Sequence, residues 1–186
     1  MKPNIPNGKH YAFLDLPQVP LDLEQACLDQ ANNKEAWLFE LGREANSNIR
    51  DMTYNGTVVS KQQCIFEVYD APLIVKQWLL DNKIINTLTN IEVGVMRSYG
   101  GNVLFPHQDR TYDSNDGIVR IRKYALNYLL TEPGPRTCFY NIPDINNIIE
   151  GVVVPKSYWH ILEVKQYHGV ENIEWERISL SITMEK

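Results

Sequence analysis

Apolar and polar positions follow two different rhythms along this 186-residue chain. After Pro20, residues Leu23, Ala26, Cys27 and Ala31 recur at helical spacing with Asp22 near the start, which predicts a helix. The stretch "DAPLIVKQWLLDNKI" predicts a second. There Asp70 is the expected cap, Pro72 suits the first turn, and Ile74–Trp78 and Val75–Leu79 are i,i+4 pairs. Four prolines within the first twenty residues predict an irregular start. "CIFEVYD" (64–70) reads as a strand, and the Asn-rich run 43–56 as loop.

Beyond residue 90 the rhythm shortens. "IEVGVMRSY", "YALNYLL", "TCFY", "GVVVP", "WHILEVKQYHGV" and "RISLSITM" are rich in Val, Ile, Tyr and Phe, and Gly, Pro and Asn separate them. Helices first and about six strands afterwards predict one α+β domain over 1–186, an antiparallel sandwich or barrel with helices packed outside. In the last strand Ile178, Leu180 and Ile182 share one face. Arg177, Ser179, Ser181 and Thr183 share the other, which meets either water or a polar cavity. On strand 124–130, Tyr128 falls in phase with Leu126 and Leu130, a packing position, and Asn127 faces the opposite way. The four tryptophans are expected to anchor the core.

Composition narrows the picture only a little. With 44% hydrophobic and 22% charged residues the chain reads as a folded domain. A net charge of −5 argues against a nucleic-acid partner. The basic cluster Arg120, Arg122 and Lys123 reads as a solvated strand edge. Three cysteines at wide spacing predict free thiols rather than a disulfide framework. No apolar run approaches the ~20 residues of a membrane span, and the opening residues lack an apolar signal core. Together these predict a cytoplasmic protein with no membrane partner.

The candidate chemistry sits in "FPHQDR". His107 and Asp109 stand at i and i+2, so an extended backbone turns both to one side and Gln108 away. They offer an imidazole nitrogen and a carboxylate oxygen. A third ligand must come from His10, His160 or His168. His168 is preferred, because it lies nine positions before Arg177, and a hairpin from "KQYHGV" to "RISLSI" would set the two side by side. His160 is read as structural. Two histidines and one carboxylate leave positions open on a divalent iron for a chelating co-substrate and then oxygen. The arginine fork, with Ser179 beside it, suits a carboxylate. Asn127 could reach the same co-substrate; Tyr99 and Tyr128 could line the cavity, and Arg97 and Arg120 could meet an anionic substrate.

These pieces resemble the 2-oxoglutarate and Fe(II)-dependent oxygenase superfamily. "HQD" at 107–109, His168 and "RIS" at 177–179 carry the likeness. "YGGNVLFPHQD" and "ALNYLLTEPGPRTCFY" are similar to stretches of its prolyl hydroxylase-like members. Leu104 stands where those members often carry tyrosine, and Arg177 where they usually carry lysine. The resemblance implies a double-stranded β-helix, or jelly-roll, over about 91–184 with the N-terminal helices packed on its outer sheet. It implies a metal held by His107, Asp109 and His168, and 2-oxoglutarate held by Arg177 and Ser179. The implied reaction uses molecular oxygen to hydroxylate a C–H bond while 2-oxoglutarate becomes succinate and CO2. The substrate is left open among amino acids, peptidyl residues and small metabolites, with 34–63 the expected substrate loop. A cupin-like metal protein that makes no use of 2-oxoglutarate is the alternative.

Overall fold

The shortened rhythm of the second half becomes two antiparallel sheets that face each other. The computed structural model describes residues 5–41, 52–54, 57–59, 66–89, 91–100, 104–113, 118–134, 136–171 and 173–184. The strands are β1 (Tyr11–Phe13), β2 (Trp37–Leu41), β3 (Met52–Tyr54), β4 (Thr57–Val59), β5 (Phe66–Asp70), β6 (Ile91–Ser98), β7 (Leu104–His107) and β8 (Arg110–Asp113). They continue as β9 (Ile118–Ile121), β10 (Tyr124–Leu129), β11 (Thr137–Tyr140), β12 (Ile148–Val152), β13 (Trp159–Leu162), β14 (Tyr167–Val170) and β15 (Arg177–Met184). The α-helices are α1 (Leu21–Gln30) and α2 (Leu73–Asp81).

The large sheet runs β1-β13-β10-β15-β6-β5-β2, and the small sheet β12-β11-β14-β7. The pairs β3–β4 and β8–β9 form separate two-stranded ribbons. Every described pairing is antiparallel.

Alternation on β15 divides the molecule's interior in two. Ile178, Leu180 and Ile182 are buried in a cluster with Leu23 and Cys27 of α1, Val75 and Leu79 of α2, and Val93 and Val95 of β6. Each such side chain withdrawn from water stabilises the fold by about 1.5–3 kcal/mol. A second cluster joins the sheets, with Ala125 and Leu129 from β10 against Phe139 and Val152 from the small sheet. The opposite face of β15 lines a cavity between the sheets.

Several expectations change. Asp70 does not cap α2: Pro72 is the cap residue, and Asp70 accepts from Lys76 Nζ at 2.6 Å. No side-chain cap forms, and the Pro72 carbonyl receives the Val75 and Lys76 N–H groups. "GVVVP" starts its strand earlier, at Ile148. "WHILEVKQYHGV" is two strands in different sheets, broken by a turn in which Gln166 N–H donates to Glu163 O. Part of the Asn-rich run is strand β3; residues 43–51, 55 and 56 lie outside the described residues. Trp159 is buried and Trp78 packs on the core, but Trp37 and Trp175 are each 46% exposed and lie outside the core cluster. Cys27 and Cys138 are free and buried, and Cys64 lies outside the described residues. No described helix is long and apolar enough to cross a membrane.

Candidate active site

His107 ends β7 and stands directly opposite His168 on β14. Their rings lie 4.4 Å apart between centroids. Asp109 follows β7 after Gln108. Its backbone N–H donates to Val164 O, and its carbonyl accepts from Arg122 N–H, so the turn is pinned on both sides. Asp109 Oδ1 lies 3.4 Å from His107 Nε2 and 3.5 Å from His168 Nε2. Ligand atoms of the three residues all fall within 4.8 Å of one another.

The chemistry of this set fits a divalent cation. His168 Nδ1 lies 3.0 Å from the Gln166 carbonyl, which can only accept, so Nδ1 carries a proton and Nε2 is the atom turned to the cluster. Burial opposes ionisation of Asp109, yet the two imidazoles beside it outweigh burial and hold the carboxyl far below the usual carboxylate range. Two imidazole nitrogens and one carboxylate are the donor set of open non-haem iron sites.

The expected hairpin from β14 to β15 does not form: β14 pairs with β11 and β7, and β15 with β10 and β6. Arg177 reaches the site from the opposite sheet. Its Nη2 donates to Thr137 Oγ1 of β11 at 3.3 Å and thereby spans the gap between the sheets. Burial lowers the guanidinium's pKa to about 10, so it stays charged at neutral pH.

Arg177, Ser179, Asn127 and the three clustered ligand residues all line one cavity of about 790 Å³. Cross-strand register places Ser179 beside Met96 and Asn127 beside Ser181. On the other side Asn127 faces His160 of β13. The cavity floor is therefore a polar strip flanked by apolar positions.

Other expected positions are elsewhere. Tyr99 lies outside this cavity and donates to Glu67 Oε2 at 2.5 Å. Arg97 ion-pairs with Glu176 and donates to Ala31 O at the end of α1. Tyr128 is a core residue whose hydroxyl donates to the buried Glu24 at 2.6 Å. His10 sits against Glu163, outside the cluster. The Arg120 side chain and much of 34–63 lie outside the described residues.

His160, read as structural, is buried and also lines the cavity. Burial, aided by the Arg177 charge and opposed by the Tyr158 carbonyl, pushes its imidazole down to about 3. Sequence reasoning missed Thr137, since all four residues of β11 are buried and no alternation marks it. It also misread Arg122, which is turned into the cavity mouth rather than out from a strand edge.

No protein-family model matches this sequence, and no curated protein matches it. Solved structures do match. A Pseudomonas putida prolyl-4-hydroxylase superposes with a TM-score of 0.56 at 13% identity, covering 95% of this chain and 94% of that one. A Trichoplax adhaerens prolyl hydroxylase, solved with a hypoxia inducible factor peptide fragment, gives 0.57 at 12% identity, covering 95% and 84%. The likeness shows the fold: a jelly-roll of antiparallel strands. The resemblance to 2-oxoglutarate and Fe(II)-dependent oxygenases, drawn from short motifs, thus extends to the architecture of nearly the whole chain.

Proposed function

We propose that this chain is a single-domain, cytoplasmic Fe(II)- and 2-oxoglutarate-dependent oxygenase. It hydroxylates an amino acid, peptidyl residue or small metabolite and releases succinate and CO2. One observation carries the reading: His107, Asp109 and His168 converge in the cavity that also holds the half-buried, charged Arg177. A cupin-like metal protein has no need of that guanidinium.

His107, Asp109 and His168 would hold the iron, which when bound with 2-oxoglutarate supplies oxygen activation coupled to decarboxylation. Gln166 keeps His168 in the ligating tautomer. Asp109 remains ionised without a base to deprotonate it. Arg177 receives the distal carboxylate of 2-oxoglutarate, with Thr137, Ser179 and Asn127 offering further polar contacts. Ala125, Leu162 and Val164 of the inter-sheet apolar cluster form part of the cavity wall. The prolyl hydroxylase fold supports a peptidyl or small-molecule substrate.

The test is 2-oxoglutarate consumption by purified protein. It should need ferrous iron and vanish in His107→Ala. Anaerobic Fe(II) plus 2-oxoglutarate should give a visible metal-to-ligand charge-transfer band; its absence sinks the proposal.

A further inference from the structure

We propose that the substrate is anionic and that Arg122, assisted by Lys76, receives its carboxylate or phosphate at the mouth of the cavity. This rests on the oxygenase reading for what happens to the substrate, but not for its binding. Arg122 is tied to the metal cluster, because its backbone N–H donates to the Asp109 carbonyl at 2.9 Å. From there its guanidinium lies along the cavity face of the large sheet. Nη1 donates to Thr183 Oγ1 at 3.0 Å and Nη2 to Glu92 Oε2 at 3.2 Å. Thr183 and Glu92 are cross-strand partners on β15 and β6.

The two members of this ion pair differ sharply in exposure. The Arg122 side chain is 20% exposed and Glu92 67%. The second pair at the cavity repeats the asymmetry, with Lys76 at 19% and Asp70 at 49%. All four side chains line the cavity, and in both pairs the cation is the less exposed member. An ion pair with an exposed partner contributes little, so each carboxylate is displaceable at small cost. A half-buried guanidinium already held by the neutral Thr183 hydroxyl keeps its place when Glu92 leaves. An incoming anion gains more from it than it would from a solvated arginine, because water screens it less.

Between the cations and the clamp, Val68 and Met96 are paired across β5 and β6 and both line the cavity. They offer apolar contact to the body of the substrate.

The experiment is a binding titration of the metal-loaded protein, without turnover, using phenylacetate, phenyl phosphate and the neutral isostere phenylacetamide. The probes are added in the presence of 2-oxoglutarate, with 2-oxoglutarate affinity measured separately. At least one anion should bind about tenfold or more tightly than phenylacetamide, as a charge-assisted hydrogen bond provides. Arg122→Gln should abolish that preference, and Lys76→Gln should reduce it. Which anion binds better separates a carboxylate from a phosphate substrate. In Arg177→Leu, 2-oxoglutarate binding should fall while the anion preference persists. Equal affinity for phenylacetamide and both anions, or no binding of either anion at millimolar concentration, overturns the inference, and this comparison needs no variant to fold. Failure of 2-oxoglutarate to bind while the anion preference holds would instead defeat the oxygenase reading alone.

Discussion

Asp109 Oδ1 lies 3.5 Å from His168 Nε2, although one follows β7 and the other sits on β14. The same carboxylate oxygen lies 3.4 Å from His107 Nε2, so removing any one of the three takes a donor atom from the cluster. His168→Ala and Asp109→Ala should each bind divalent metal at least tenfold more weakly than the parent, the usual scale for such sites. Isothermal titration with Co(II) or Fe(II) checks this. In the same proteins a chelator should lower Tm for the parent and leave the variants unmoved, because only the parent couples metal binding to folding.

Arg177 donates to Thr137 across the gap between the sheets. Loss of its fork in Arg177→Leu should weaken 2-oxoglutarate binding by about 1.5–3 kcal/mol, roughly ten- to hundredfold. Arg177→Lys keeps the charge but not the fork, and should fall between. Equilibrium titration of the metal-loaded protein reads both; unchanged affinity in Arg177→Leu would move the reading to the cupin-like alternative.

Gly100 passes so close to the segment before β15 that an added Cβ would stand 2.8 Å from Glu174 O and 3.2 Å from the Trp175 Cα. Both are backbone atoms and cannot swing aside. Gly100→Ala should therefore cost about 1–3 kcal/mol in urea unfolding. Because the displaced segment leads into Arg177, 2-oxoglutarate affinity should drop as well.

Acid should destabilise the protein through His160. Its folded pKa is depressed to about 3 from an ordinary 6.5. The unfolded chain thus takes up a proton as pH falls through 6.5, and the folded chain does not until near 3. The stabilisation from the neutral ring is complete above the unfolded value and shrinks as pH falls below it. Between about pH 7 and pH 5 the loss should be roughly 2 kcal/mol. His160→Gln should lose correspondingly less over that range in denaturant titrations at the two pH values.

Tyr128 donates to the buried Glu24, which also accepts from Ser157 Oγ. Tyr128→Phe leaves that carboxylate with one of these two donors. A cost of about 1–3 kcal/mol in Tm or urea measurements is expected, with metal binding unaffected. A neutral result would mean that water reaches Glu24.

The linear order of residues determined more here than is usual for a site so scattered. The i,i+2 spacing of His107 and Asp109 is a local property of extended chain, so one segment delivers both side chains together. The two-residue alternation on β15 is equally local. It put Ile178, Leu180 and Ile182 into the core and turned Arg177 and Ser179 to the cavity without reference to any other strand. The helical spacing around Cys27 and Val75 likewise needed no partner to be legible. What the tertiary structure alone decided is which distant segments meet. Sequence proximity suggested that Arg177 approaches His168 along a hairpin. The turn at 163–166 instead sends β13 and β14 into different sheets, and Arg177 arrives from across the sandwich. Thr137 and His160 join the site for the same reason, since sheet-to-sheet apposition leaves no periodic trace in a strand buried on both faces. Arg122 is held by Thr183 of β15, 61 positions further along the chain, and no short window of sequence contains both halves of that pair.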